Sequence, residues 1–236
     1  MAEQKIVFTL DFGSEWIPKE YYPVPGVKAV PDWYKDMETS FAKKKTESHE
    51  VRQSQTIKRC MPVLDAITAG YILKLHTDLF VKSTDGVVSF EWANDTSDTV
   101  SFHAAYQLVN YRELDLPHGA PKLRNPWGIK TPKGYSCLFI PPTHRPTSGL
   151  RILEGYVDTD SYTNSVQFPF LVDEGFTGTI PAGTPVAQVI PFKRDSFRME
   201  IGDIQQRIEN DGVGRLLRST WINGYRNKFR ASKDYL

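Results

Sequence analysis

Five histidines, two cysteines and a pair of polar turns, one of them bearing two aspartates, are the residues through which this 236-residue chain could do chemistry. His49, His76, His103, His118 and His144 are scattered, without the i, i+4 or carboxylate-histidine spacing that sets metal ligands side by side. His76 and His103 fall in strand candidates and are the one pair that adjacent strands can bring together, although hydrogen-bonded polar histidines are the plainer expectation. Cys60 and Cys137 have no metal-like spacing, and a chain this long folds without a bridge, so both are expected as thiols. No Gly-x-Ser-x-Gly elbow, Walker-type loop or Gly-x-Gly-x-x-Gly turn occurs, which removes nucleophilic hydrolases and nucleotide triphosphatases of those types. What remains is two turn-like segments, PPTHRPTSG at 141–149 and GYVDTDSY at 155–162, where hydroxyl, arginine and carboxylate side chains crowd together.

The elements that must position them are mostly strands. KIVFTLDF at 5–12 is apolar and β-rich, YILKLHTDLFVKS and VVSFEW alternate around a Ser83–Gly86 turn and predict a hairpin, and SFHAAYQLV, GYSCLFIP, SVQFPFLV, FTGTIP and VAQVIPF follow between glycine and proline breaks. Many short strands with such punctuation predict a sandwich or barrel-like β domain and argue against a βαβ sheet. Four prolines between Ser14 and Pro31 forbid a continuous helix there. The aromatics around them, Trp16, Tyr21, Tyr22, Trp33 and Tyr34, are expected to pack that arm onto the core rather than to stack on a ligand. PDWYKDM reads as a helix start, and Lys43, Lys44 and Lys45 as a solvated face. After Gln55 strand signals dominate until Ile201, where Ile204 and Ile208, then Leu216, Leu217 and Trp221, suggest two short amphipathic helices carrying Arg215, Arg218, Arg226, Lys228, Arg230 and Lys233.

The bulk numbers are those of an ordinary folded domain. Hydrophobic residues make up 40% and charged residues 24%, and 29 basic against 28 acidic side chains leave a net charge of +1. That balance gives no general field for nucleic acid or an anionic membrane, so the basic C-terminal stretch is expected to dock on its own domain or on a neighbouring subunit. The first residues lack a signal-peptide or lipidation pattern and no run of about 18 apolar residues occurs, so the expected location is the host cytoplasm or a virion.

Four segments, taken in order, resemble the motifs of the dUTPase family, which includes the dCTP deaminases. Thr68–Tyr71 is similar to the small-Gly-Tyr turn of the first motif, with Ile72 where that family has an aspartate. Thr131–Tyr135 is similar to a strand lead-in, and Pro141–Gly149 to an expanded form of the phosphate turn that makes the second motif, in which Ser148 and Gly149 align and Arg145 lies upstream. Gly155–Tyr162 resembles the third motif, with Ser161 inserted before the tyrosine and Thr163 and Asn164 after it. Ala182–Ile190 resembles the fourth. As a whole the chain is also similar to a family of tailed-phage proteins through its PVP…PDWYK arm and CMPVLDAITAGY segment, a likeness that carries no activity with it.

The resemblance implies a mainly β, dUTPase-like distorted jelly-roll or β-clip domain at 56–194. The Pro/aromatic arm with a short helix at 1–55 and a helical tail at 195–236 would flank it. It implies Asp158 as the residue that orders a catalytic water, and Ser148, Gly149, Arg145, Gln188 and Tyr162 as contacts to phosphate and pyrimidine. A homotrimer whose sites lie at subunit boundaries is implied as well. Mg²⁺ would bridge phosphate oxygens if hydrolysis is retained; no protein-held metal or other cofactor is expected. The missing first-motif aspartate, the inserted Ser161 and the absence of a Gly-rich C-terminal arm point to a retained fold with dUTP hydrolysis lost. Gln167, where a deaminase needs a proton-transferring carboxylate, points away from that branch. Three functions follow: a nucleotide-binding protein with degenerate catalysis, a homotrimeric virion structural or assembly protein that contacts other virion proteins, and an active dUTP pyrophosphatase.

Overall fold

A computed structural model of the chain describes residues 4–40, 55–84, 87–93, 99–104, 121–146, 149–206 and 224–235. The described residues group into two units, one drawn from 1–29 and 68–194 with Tyr235, the other from 30–67 and 195–234.

The first unit is mainly β, as the strand pattern predicts. Its first strands are β1 (Val7–Leu10), β2 (Val24–Pro25), β3 (Tyr71–Lys74), β4 (Leu79–Thr84), β5 (Val87–Trp92), β6 (Val100–Phe102) and β7 (Pro121–Leu123). Then come β8 (Trp127–Lys130), β9 (Tyr135–Ile140), β10 (Leu150–Ile152), β11 (Gly155–Val157), β12 (Phe168–Val172), β13 (Gly178–Ile180) and β14 (Pro185–Lys193). They pair antiparallel in four sheets ordered β11-β9-β14-β3-β2, β10-β12-β7-β6, β13-β4-β5 and β1-β8. Period-two alternation explains which faces are buried: Leu79 and Val81 on β4 point to the core while Phe80 and Lys82, which follow them in turn, are exposed. The core gathers Leu73, Leu123, Ile152, Phe170, Ile180 and Val189 from all three larger sheets. Each such side chain contributes roughly 1.5–3 kcal/mol on leaving water.

β14 organises the five-stranded sheet. It is flanked by β3 and β9, so Val189 faces Tyr71 on one side and Phe139 on the other. The turn before β3 needs Gly70, which has φ +62° and sits where a Cβ would come within 1.9 Å of the Val189 carbonyl oxygen. The aromatic arm packs as expected: the Tyr22 ring meets Trp127 edge-on at 4.8 Å and Ile17 is buried.

The second unit contains α1 (Asp32–Asp36), most of α2 (Met61–Thr68) and α3 (Gly224–Lys228). α1 starts after Pro31 as the PDWYK pattern predicts, and ends at Met37, whose backbone is extended. α2 departs from the expectation that strands dominate after Gln55. Pro62 falls in its first turn, where a missing N–H costs nothing, and Met61, Leu64 and Ile67 recur at helical spacing. Asp65 on α2 pairs with Arg230 at 2.6 Å and Lys233 at 3.0 Å, and Arg230 holds its carboxyl below the usual carboxylate range. Lys43 to Lys45, His49, Asp85, Gly86, the 105–109 part of the SFHAAYQLV candidate, His118, Ile208, Leu216, Leu217 and Trp221 lie outside the described residues. Among the described residues no helix is long and apolar enough to cross a membrane.

Candidate functional site

The third-motif segment leaves β11 and folds into a compact turn. The Asp158 carbonyl accepts the N–H groups of Ser161 at 3.0 Å and Tyr162 at 2.8 Å, and the Ser161 hydroxyl at 3.1 Å. The inserted serine is thus absorbed by an i to i+4 closure. Thr159 turns inward, buried, with its hydroxyl 2.8 Å from that of Thr131.

Two carboxylates leave this turn and meet one guanidinium. Asp160, with its side chain only 7% exposed, accepts the Gly134 N–H at 2.7 Å and is gripped by both terminal nitrogens of Arg194, Nη1 at 2.9 Å from Oδ1. Arg194, and then the Gly134 N–H, hold the Asp160 carboxyl well below the usual range. Asp158 accepts the Ser136 hydroxyl at 2.7 Å and lies 3.2 Å from Arg194 Nη1, its side chain 58% exposed. Arg194 also donates to the Ser136 hydroxyl at 3.0 Å and the Tyr135 carbonyl at 3.1 Å. The nearby Cys137 thiol is pushed up by burial.

The first, second and fourth motif segments form another cluster. Gln188 on β14 is completely buried, its Oε1 accepting the Thr143 N–H at 2.9 Å and the Thr143 hydroxyl, while Nε2 donates to the Ala69 carbonyl at 2.7 Å. It therefore ties the fourth-motif strand to the second-motif turn and the first-motif turn, instead of presenting its amide to solvent. Beyond Thr143, His144 adopts φ +53°, and the Arg145 guanidinium, pushed down from its ordinary value by burial, donates to the Ala29 carbonyl. Gly149 is buried with φ +92°, and a Cβ there would meet the Phe176 ring at 2.5 Å. Ser148 lies outside the described residues. At the first-motif aspartate position, Ile72 is wholly buried on β3.

Tyr162, 48% exposed, lines a cavity of about 410 Å³ with the apolar side chains of Val157 and Val166. Ser165, Gln167, Lys122 and His103 supply its polar lining. This volume lies within the range of small-ligand pockets. His76 does not join His103. It is buried, meets Trp16 edge-on at 5.8 Å, and burial, then Arg124, pushes its pKa down to about 4. Motif reading missed Arg194 and Ser136 in the first cluster, Thr143 in the second, and Lys122 and Ser165 in the lining beside Tyr162. The only sequence signal was the Asp-x-Asp spacing of 158 and 160 with an arginine just past the fourth-motif strand.

The Asp158–Asp160 pair does not fit a protein-held Mg²⁺, because both carboxylates face a guanidinium that would repel a dication. Among the described residues no group of three or more His, Cys, Asp or Glu side chains is placed to hold a metal.

No family model matches the chain. No curated protein matches it either. Among solved structures, a mutant dUTPase from phage phi11 of S. aureus, described with a structural Mg(II) ion, is similar at 10% identity and a TM-score of 0.33. That match covers 84% of this chain and 97% of the other. A superposition at that level assigns this chain neither activity nor ligand nor assembly, and the mainly β architecture stands on its own strand pairing.

Proposed function

We propose that the chain is a phage-type, dUTPase-like protein that binds a pyrimidine nucleotide or nucleotide-derived ligand against the third-motif turn, at the subunit boundaries of a homotrimer, without hydrolysing it. The observation that carries the reading is the open recess of about 410 Å³ walled by Val157 and Tyr162, the residues on either side of this turn, together with a hydrogen-bonding serine and glutamine. An aromatic face with a few polar groups is how a base is held and oriented.

Loss of hydrolysis is supported by Arg194. Water attack needs a positioned base, neutralisation of phosphate charge and exclusion of bulk water together. The Asp158 Oδ1 atom is already engaged by Ser136 and faces Arg194, and the Gln188 amide is buried on Thr143 and Ala69. In this arrangement both act as anchors. The first- and fourth-motif residues cluster around Gln188 while the third-motif turn is held by Arg194, which suits a site completed by a second subunit.

A thermal-shift series with pyrimidine and purine nucleotides tests the reading, since a ligand that binds only the folded state raises the melting temperature by mass action. Pyrimidine nucleotides are expected to stabilise the wild type and to lose that effect on Tyr162→Ala. Asp158→Asn is expected to lower the melting temperature through its contacts with Ser136 and Arg194. No response to any nucleotide would sink the proposal.

One feature favours a homotrimeric virion or assembly protein as a second reading. Every residue from 194 to 206 is exposed, including Phe197 at 91%, Met199 at 85% and Ile201 at 87%, which alternate with Arg198 and Glu200. Such a segment offers an apolar edge to a neighbouring copy or another virion protein. Self-assembly without nucleotide response would select it.

A further inference from the structure

The second unit carries a short stretch, 224–234, in which cations and aromatic rings interleave. Its sequence GYRNKFRASKD holds Arg226, Lys228, Arg230 and Lys233 against the single acid Asp234, in a chain of net charge +1. Helix α3 opens the stretch, and the Tyr225 carbonyl accepts the N–H groups of both Phe229 and Arg230 at 3.0 Å. Phe229 therefore lies one turn beyond Tyr225 on the same side. Tyr225 is 44% and Phe229 41% exposed, and Arg226 and Asn227 between them are exposed as well.

The far end of the stretch is anchored. Arg230 donates from Nε at 2.9 Å and from Nη2 at 2.6 Å to one oxygen of Asp65, while Lys233 donates at 3.0 Å to the other oxygen and at 3.3 Å to the Ala231 carbonyl. The Ser232 hydroxyl donates to Asp234 at 3.1 Å, so that carboxylate belongs to the same end. Asp65 is a positioning residue here, since it fixes Arg230 and Lys233 on α2. This end meets the expectation that the basic stretch docks on its own domain. The other end presents two rings with an arginine and an amide between them.

We propose that this face of the second unit binds a single-stranded nucleic acid, with bases stacking on Tyr225 and Phe229 and Arg226 pairing with the phosphodiester backbone. Stacking on an aromatic side chain tolerates any sequence, because every base has a flat face, and cations beside the rings follow the backbone. A duplex keeps those faces inside its own stack, and an anionic membrane takes a longer apolar helix face than two rings supply. The site draws on none of the residues of the third-motif turn and stands whether or not that turn binds a nucleotide.

Fluorescence anisotropy of the full chain with a labelled oligothymidylate, an oligouridylate and a DNA duplex of the same length, each across a salt series, tests it. One or both single strands are expected to bind more tightly than the duplex, and the tighter of the two tells DNA from RNA. Tyr225→Ala and Phe229→Ala should each weaken strand binding about tenfold at fixed salt and leave the salt dependence unchanged. Arg226→Gln should instead flatten the slope of log affinity against log salt by about 0.7. All three side chains are exposed, so the variants are expected to melt as the wild type does. No binding of either strand, duplex binding as tight as strand binding, or strand binding that survives the combined Tyr225→Ala and Phe229→Ala change would each overturn the proposal. Binding to anionic vesicles alone, or a change in sedimentation on the combined substitution with no strand bound, would overturn it as well and give the face to a membrane or to a second copy.

Discussion

Replacing Gln188 by leucine separates an anchor from a ligand contact. The side chain is wholly buried and satisfies three groups at once: the Thr143 N–H at 2.9 Å, the Thr143 hydroxyl, and the Ala69 carbonyl at 2.7 Å. Leucine has nearly the same volume, so the cavity contribution is small and the loss is one of hydrogen bonding. Each buried polar group left unpaired costs about 1–3 kcal/mol, with the hydroxyl able to rotate toward another acceptor. Two firmly orphaned backbone groups at the middle of that range, reduced because Thr143 is only partly buried, give about 3 kcal/mol. For a chain of this size that lowers the melting temperature by about 6–12 °C. Urea denaturation followed by tryptophan fluorescence reads the change directly, with the midpoint moving and the slope constant. Gln188→Glu, which sets a buried carboxylate oxygen against the Ala69 carbonyl oxygen, should cost at least as much as leucine. An unshifted midpoint in Gln188→Leu accompanied by a large loss of nucleotide affinity would refute the anchoring role and return Gln188 to phosphate contact.

Other expectations follow from the same geometry. His76 takes up a proton near pH 6.5 when unfolded but only near 4 in the folded chain. Between those values the unfolded state binds more protons, so stability is full above about pH 6.5, falls as pH drops toward 4, and levels off below. The total is about 3 kcal/mol, and His76→Phe should flatten that part of a pH series of denaturation midpoints. If His76→Phe leaves the slope unchanged, burial of the neutral imidazole is not its source. Gly149→Ala forces a β-carbon into the Phe176 ring at φ +92°, and should cost about 2 kcal/mol or more in the same denaturation assay. A Phe176→Ala background should recover part of that loss, and equal costs in both backgrounds would rule out the ring contact. Substituting Phe197, Met199 and Ile201 together by aspartate should shift sedimentation from trimer toward monomer without unfolding the first unit; an unchanged sedimentation coefficient would remove the segment from any interface.

Local pattern made much of the β architecture legible. Leu79, Val81 and Phe90 alternate with exposed residues along a hairpin, and the run from Val186 to Phe192 is long and apolar enough to be an interior strand. α2 was missed because Met61–Thr68 is a short apolar run with a proline, which periodicity alone does not separate from a strand. The site was legible only as motif order. Asp158 and Tyr162 could be named, but Arg194 lies 34 residues from Asp160 along the chain and meets it only because β9 pairs with both β14 and β11. Lys122 and Ser165 reach one cavity from β7 and from the segment after the third-motif turn, a convergence written in topology and in no local spacing. Gln188 matched a motif by type, while its burial against Thr143 depended on the fold around it.

The central claim, binding without hydrolysis at the third-motif turn, is tested most directly by following heat and pyrophosphate release in one sample of the full chain with dUTP and Mg²⁺. Saturable binding that Tyr162→Ala weakens, with no pyrophosphate released, is the expected result. Turnover near 1 s⁻¹ or faster, within the range of ordinary enzymes and abolished by Asp158→Asn without loss of stability, would contradict it and make the chain a working pyrophosphatase.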